Sequence, residues 1–222
     1  MTNMIIGLVG FKGSGKDTVG DHLVRTHAFK RTSFAEPLKQ SLAHLMDWKL
    51  SDLHGGTQKS RSWRETPDAW WSEQLGKEIT PRHMMQQFGT QIIRRHVHTD
   101  FWVMRTRKLI QSDLTRSWVI TDVRFPNEIR MIRDMGGQIV RVHRGDQPEW
   151  EARATWIHAQ PSWLQPVWLF LNPQVAVVHE SERAWLPHDV DHHVHNHTTV
   201  KDVHAQVDAL MHKLQHMPVR GG

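Results

Sequence analysis

A short apolar run, Ile5-Ile6-Gly7-Leu8-Val9, leads directly into Gly10-Phe11-Lys12-Gly13-Ser14-Gly15-Lys16-Asp17-Thr18, and the helically spaced Val19, Leu23 and Val24 follow. Strand, glycine-rich turn and helix in that order form the setting of a phosphate-binding loop. Glycines let successive backbone N–H groups turn inward around an anion, which β-carbons would obstruct. A helix starting near Gly15 adds the partial positive charge of its N-terminus. Lys16 then reaches the outer phosphates as a mobile point charge. The usual pattern places Ser or Thr directly after the lysine; here Asp17 intervenes and Thr18 follows. A carboxylate inside a phosphate loop must face a metal, a cation or acceptor-side arginines.

The remaining chain alternates between strand and helix signals. Lys30 to Phe34 reads as a second strand and Ala35 to Trp48 as a helix with Leu38, Leu42, Leu45 and Met46 on one face. Residues 49–80 are polar and broken by Gly55-Gly56 and Pro67, and read as an inserted mobile segment. Thr80-Pro81 starts a helix as N-cap and first helical residue, with Met84, Met85, Phe88, Ile92 and Ile93 as its apolar face. Gly89 within that pattern implies close approach of a neighbour, or a break. A further helix starts at Thr99 or Asp100 and runs through Ile110. Trp118 to Asp122 reads as a buried strand, Asn127 to Met135 as a helix stopped by Gly136-Gly137, and Gln138 to Val142 as the next strand, a βαβ crossover. Residues 145–187 interleave Pro and Trp and read as irregular, with helical parts. Val190 to His195 is a last strand, and Thr199 to His216 a terminal helix. The tail after Pro218 is expected to be disordered. This alternation predicts an α/β three-layer fold around a parallel sheet.

Composition excludes several chemistries. There is no Cys, so disulfides, thiol catalysis and Cys-based zinc sites are ruled out. No apolar run reaches membrane-spanning length, and no signal peptide precedes the first strand, so a cytosolic location is expected. The net charge of +5, from 28 basic and 23 acidic residues, is small and spread out, a weak bias toward anionic ligands. No Lys/Arg stripe accompanies the eleven Trp, which argues against a nucleic-acid groove.

Asp122 ends an apolar strand, where ligands of open parallel sheets bind. It either orients Mg²⁺ through water or holds a substrate hydroxyl, or it merely caps the next helix. Arg124 is placed to clamp a phosphate, or lies on the surface. Arg141 and Arg144 flank the end of the following strand, and Arg144 precedes Gly145, from where it can close on transferring phosphates; the alternative is a solvated charge pair. Arg82 and Gln86 share a helix face. His193, His195 and His197 alternate, but spacing alone supplies neither geometry nor second-shell orientation, so a solvated strand edge is the preferred reading over a metal site.

Taken together, these residues resemble the deoxynucleoside monophosphate kinases of tailed bacteriophages. The matching segments are Gly10 to Thr18 with its Gly-Lys-Asp-Thr ending, Glu36-Pro37-Leu38-Lys39, Arg64-Glu65-Thr66, Arg82 to Thr90, Trp102, Thr121 to Glu128, Gly136-Gly137 and His179-Glu180-Ser181-Glu182. The Trp- and Pro-rich residues 146–176 match nothing in that family. The resemblance implies a single P-loop kinase domain, with a helical acceptor-binding insertion at about 49–110 and a lid-like segment at about 145–187. It implies transfer of the γ-phosphoryl of ATP to a deoxynucleoside monophosphate, with Mg²⁺ bridging ATP oxygens, for phage DNA precursor supply in the infected host cytoplasm. Lys12, Gly13, Ser14, Gly15, Lys16, Asp17 and Thr18 then hold the ATP phosphates. Lys39, Arg64, Arg82, Gln86, Gly89, Thr90, Trp102, Asp122, Arg124 and Glu128 form the acceptor site, and Thr18 and Asp122 serve the metal. Lys16, Asp17, Arg124 and Arg144 are the catalytic candidates. Trp102 offers a flat face for base or sugar, and Trp102 or Glu128 would fill the space of a 2′-hydroxyl. Neither direct nucleic-acid binding nor membrane association is expected, and a homodimer is compatible with this reading. The rivals are another small-molecule kinase on the same scaffold, such as dephospho-coenzyme A kinase, and a nucleic-acid-associated ATPase.

Overall fold

The computed structural model describes residues 3–216; the tail expected to be disordered after Pro218 lies outside them. The chain begins β1 (Ile5–Val9), α1 (Lys16–His27), β2 (Lys30–Thr32) and α2 (Glu36–Met46). Short helices α3 (Leu50–His54), α4 (Gln58–Glu65), α5 (Ala69–Leu75) and α6 (Pro81–Gln86) follow, then a π-helix (Gln87–Val97) and α7 (Phe101–Gln111). Next come β3 (Trp118–Ile120), α8 (Pro126–Asp134), β4 (Gln138–His143) and α9 (Trp150–His158). The chain closes with α10 (Gln165–Phe170), α11 (Pro173–Ala176), α12 (Glu180–Arg183), β5 (His192–His195) and α13 (Val200–Gln215). No helix among the described residues is long and apolar enough to cross a membrane. The chain divides into two compact units, one built from the chain up to Ser33 and from Ile110 onward, the other from Phe34 to Leu109.

The first unit is the α/β fold expected from the sequence. Its five strands are all parallel, in the order β2-β3-β1-β4-β5. β1 sits in the centre and is apolar throughout, as a strand covered on both faces must be. Ile6 and Leu8 face α1 and α13, packing with Val19, Leu23, Val203, Val207 and Met211. Gly7 points the other way, toward α8; a β-carbon there would lie 2.6 Å from the Ile132 side chain. Helices on both faces make three layers. The crossover through α8 is parallel, but β1 lies between β3 and β4, so the two strands it joins are not neighbours. α13 starts as expected: Thr199 accepts from the Asp202 N–H, and the Asp202 carboxylate accepts from the Thr199 N–H, a reciprocal cap.

One reading of irregular structure is corrected. Residues 49–80 are not a mobile insert: they hold α3, α4 and α5. Leu53 and Ile79 are fully buried in a cluster with Leu38, Leu42, Met46, Trp48 and Trp102. Trp48 Nε1 donates to Asp68 at 2.8 Å and Trp71 Nε1 to the Met46 carbonyl at 3.0 Å, which ties the segment down. The second compact unit runs from Phe34 to Leu109. Residues 145–187 have the helical parts expected of them, α9 to α12, separated by irregular stretches. Glycine and proline break both stretches into helices too short to show a clear period.

Candidate active site

The loop after β1 is shaped as its glycines predict. Gly10 has φ of 146°, and a β-carbon there would lie 2.5 Å from the Val142 carbonyl oxygen. Gly15 has φ of 103° and precedes the first residue of α1. The Ser14 N–H donates to the Phe11 carbonyl at 3.1 Å, closing the turn, and Asn196 Nδ2 donates to the Ser14 carbonyl at 3.0 Å. Ser14 Oγ is buried without a hydrogen-bond partner, an orphaned polar atom inside the cradle.

Lys16 folds over this loop, its ammonium donating to the Gly10 carbonyl at 2.6 Å and the Phe11 carbonyl at 2.9 Å. Burial, helped by the Arg124 charge, lowers its pKa to about 8, while Glu182, Asp17 and Asp122 pull the other way. Lys16, Asp122 and Arg124 therefore share one electrostatic neighbourhood, as the strand-end position of Asp122 implied. Arg124 Nη1 donates to Glu182 Oε1 at 2.6 Å and to Ser181 Oγ at 3.1 Å. The other oxygen of Glu182 accepts from the Lys12 N–H at 3.0 Å. Arg144 Nη1 donates to the Gly13 carbonyl at 3.3 Å, so this exposed side chain reaches the loop. Asp17 finds its required cation in Arg31, which also holds Asp21 at 2.7 Å. Thr18 lies in the first turn of α1, half-buried.

Arg141 takes a different place. It pairs with Glu151 at 2.6 Å, both side chains nearly buried at 12% and 9% exposure, and its guanidinium lies 4.9 Å from the Trp185 ring centroid. Phe11, inside the loop, packs against Trp150 at 5.2 Å and Trp185 at 5.4 Å. The Trp-rich segment thus grips the phosphate loop through Phe11, and Arg141 serves that grip rather than a phosphate.

The other candidates lie in the helical unit. Arg64 and Arg82 are close enough that Arg82, after burial, lowers the proton affinity of Arg64. Arg64 Nε is buried without a partner, and Arg82 pairs with Glu65. Lys39 is half-buried on α2; Gln86 and Thr90 are exposed. Gly89 lies in the π-helix with its missing β-carbon site 2.8 Å from the Leu38 side chain, the close approach its position implied.

Two acceptor-site readings need correction. Trp102 is only 6% exposed, packed in the helical core, with Nε1 donating to the Gly89 carbonyl at 3.0 Å. Its face is not open to a base; it positions Gly89. Glu128 is 2% exposed, its Oε2 accepting from the N–H groups of Arg124 at 2.7 Å and Phe125 at 3.1 Å. It shapes the turn that carries Arg124 and presents no free carboxylate. Arg31 and the Glu182 contact escaped the sequence reading. Arg31 sits on a three-residue strand without any motif. Glu182 was visible within His179 to Glu182, but its target was not.

His193 and His195 stack with His143 across β4 and β5, with His143 Nε2 2.8 Å from His193 Nδ1. Among the described residues these histidines form no three-ligand group compact enough for one ion.

A glycine-rich loop at the carboxyl end of the central strand of a parallel sheet, with a carboxylate and an arginine just beyond the neighbouring strand β3, defines a P-loop α/β protein. The family described as deoxynucleotide monophosphate kinase matches residues 49–157. A protein of Acanthamoeba polyphaga mimivirus, provisionally named a deoxynucleotide monophosphate kinase, is 33% identical over 152 residues, covering 64% of this chain and 74% of that protein. The chain belongs to the deoxynucleotide monophosphate kinase family, and is thus a phosphotransferase. Among solved structures, TT1252 from Thermus thermophilus aligns with 17% identity and a TM-score of 0.47, and shikimate kinase from Aquifex aeolicus with 15% and 0.47; in both cases 96% of this chain and 99% of the other are covered. A dephospho-CoA kinase from Campylobacter jejuni aligns with 11% identity and a TM-score of 0.45, over 96% and 98% of the two chains.

Proposed function

We propose that the chain transfers the γ-phosphoryl group of ATP to deoxynucleoside monophosphates, giving deoxynucleoside diphosphates and ADP. The observation that carries this reading is the gathering of Lys16, Asp122 and Arg124 at the glycine loop, in a chain of this family. Backbone N–H groups from Lys12 to Thr18 cradle the ATP phosphates, and Lys16 leaves the loop carbonyls for the outer phosphates. An oxygen of the acceptor monophosphate attacks the γ-phosphorus as the bond to the β-phosphate oxygen breaks, and ADP departs with that electron pair. The acceptor oxygen is already anionic at neutral pH, so no general base is required. Arg124 and Arg144 offset the charge that spreads over the moving group, with Asp17 oriented by Arg31.

Lys39, Arg64, Arg82, Gln86, Gly89 and Thr90 are assigned to the acceptor. Arg64 and Arg82 put two guanidinium groups close together with Glu65 as a shared carboxylate, an excess of positive charge that favours an anion beside them. The Thr18 hydroxyl and the Asp122 carboxylate are hard oxygen donors that suit Mg²⁺. When bound with ATP, Mg²⁺ would supply neutralisation of the β- and γ-oxygens. A place in viral DNA precursor supply rests on the resemblance to phage kinases and on the viral relative.

The test is a phosphotransfer assay with ATP against the four deoxynucleoside monophosphates, their ribo counterparts and dephospho-coenzyme A, with Lys16→Ala as the blank. Transfer to at least one deoxynucleotide, exceeding that to its ribo form and absent from the blank, is expected. Transfer to none of them, or to dephospho-coenzyme A alone, would overturn the assignment.

A further inference from the structure

α1 and α13 lie side by side on one face of the sheet, locked by Leu23, Val203, Val207 and Met211 in the core beneath them. Where their outer edges meet, His22, His27 and Asp208 converge. His22 Nε2 and His27 Nε2 each lie 2.7 Å from the same oxygen, Asp208 Oδ1. The three ligand atoms all fall within 4.8 Å of one another, and no other such trio occurs among the described residues. The imidazoles are 10% and 17% exposed and Asp208 49%. His204 stacks on His22 at 4.0 Å and 11°, forming a wall of the site.

We propose that His22, His27 and Asp208 form a binding site for a divalent transition metal of the zinc class, separate from the phosphate loop. One carboxylate oxygen facing two imidazole nitrogens is a crowded hydrogen-bond arrangement but a natural ligand set. Zinc takes imidazole nitrogen and carboxylate oxygen at about 2.0–2.2 Å, which puts tetrahedral ligand atoms about 3.3 Å apart. Reaching that spacing opens the present contacts by about 0.6 Å, a movement available to a half-exposed aspartate. Two nitrogens and one oxygen leave a fourth position for water. Imidazole ligands favour zinc and its neighbours over magnesium or calcium. Thr26 Oγ1, 3.4 Å from His22 Nδ1, is placed to accept that proton and leave Nε2 as the ligand atom. A bound ion ties the helix that begins at the phosphate loop to the terminal helix.

The test uses nucleotide-free, chelator-stripped protein titrated with Zn²⁺ against a chromophoric chelator, with Co²⁺ absorption as a second readout. One tight zinc per chain is expected, with a higher Tm on loading. His27→Gln and Asp208→Asn should each weaken zinc by about tenfold or more and abolish the Tm increase, and Thr26→Val should weaken it less. Replacing His143, His193, His195 and His197 together by Asn should leave the site intact. Should His27→Gln fail to fold, the half-exposed Asp208→Asn decides. Absence of stoichiometric zinc in the parent chain overturns the proposal, as does undiminished affinity in Asp208→Asn or loss of the site in the four-histidine variant. Any of these would leave the trio as a carboxylate shared between two imidazoles.

Discussion

Glu182 sets a carboxylate against the Lys12 N–H of the glycine loop and against Arg124, two donors that the proposed reaction assigns to phosphate. A carboxylate and a phosphate oxygen ask for the same partners, so the two compete. Charge-assisted hydrogen bonds contribute roughly 1.5–3 kcal/mol when well shielded. The Arg124 and Glu182 side chains are 37% and 22% exposed, so solvent screening reduces the difference to about 1 kcal/mol. Glu182→Gln should therefore tighten binding of a non-hydrolysable ATP analogue by about fivefold. Calorimetric titration measures it, and weaker binding would show that Glu182 assists the nucleotide instead. At this scale the sequence singled out Lys16, Asp122 and Arg124, which the fold makes electrostatic neighbours, because loop and strand-end positions carry meaning before any fold is known. It could not reveal Arg31 or Glu182, whose significance lies in contacts spanning 14 and 170 residues of chain.

The π-helix is the element that the sequence half disclosed. Thr80 and Pro81 marked its approach, and Thr80 does cap α6 by accepting from the His83 N–H. Gly89 announced a break, but periodicity cannot distinguish a widened turn from a helix ending. What holds the widened turn is the Trp102 indole donating to the Gly89 carbonyl, with Leu38 against the glycine. Trp102→Phe keeps most of the apolar volume and removes the donor, losing one buried hydrogen bond at a cost of about 1 kcal/mol. The expected result is a lower Tm, with hydrogen exchange accelerated across residues 87–97. Unchanged exchange in that segment would show that the indole hydrogen bond does not hold the π-turn. The helices at 49–80 and 145–187 were illegible for a related reason. Each has at most nine residues, too few to be stable alone, and they persist because tryptophans such as Trp48, Trp150 and Trp185 pack them onto neighbours.

Across the whole molecule, the order of the strands was the largest feature hidden from the sequence. Alternation of strand and helix signals implied a parallel sheet but could not place β1 between β3 and β4, since adjacency depends on which faces the crossovers cover. The 18 histidines were equally opaque as composition, and the fold gives several of them a shared property. Burial first, then nearby positive charge, lowers the pKa of His143, His158, His188, His192 and His193, in the case of His143 to about 4. His143 faces Arg141 on its own strand and His193, His195 and His197 from β5 and its continuation. In the unfolded chain each histidine takes up a proton near pH 6.5; in the folded chain it resists until lower pH. The unfolded state therefore binds more protons between about pH 6.5 and 4, and stability present at neutral pH is lost as pH falls through that window. For His143 the contribution stays below about 1 kcal/mol because the ring is only part-buried and solvent screens it. Denaturant midpoints measured at pH 7, 6 and 5 should decline for the parent chain and decline less steeply for His143→Asn. Equal slopes in the two proteins would mean that the stacked histidines do not store this acid sensitivity, and that it resides in His158 and His188 instead.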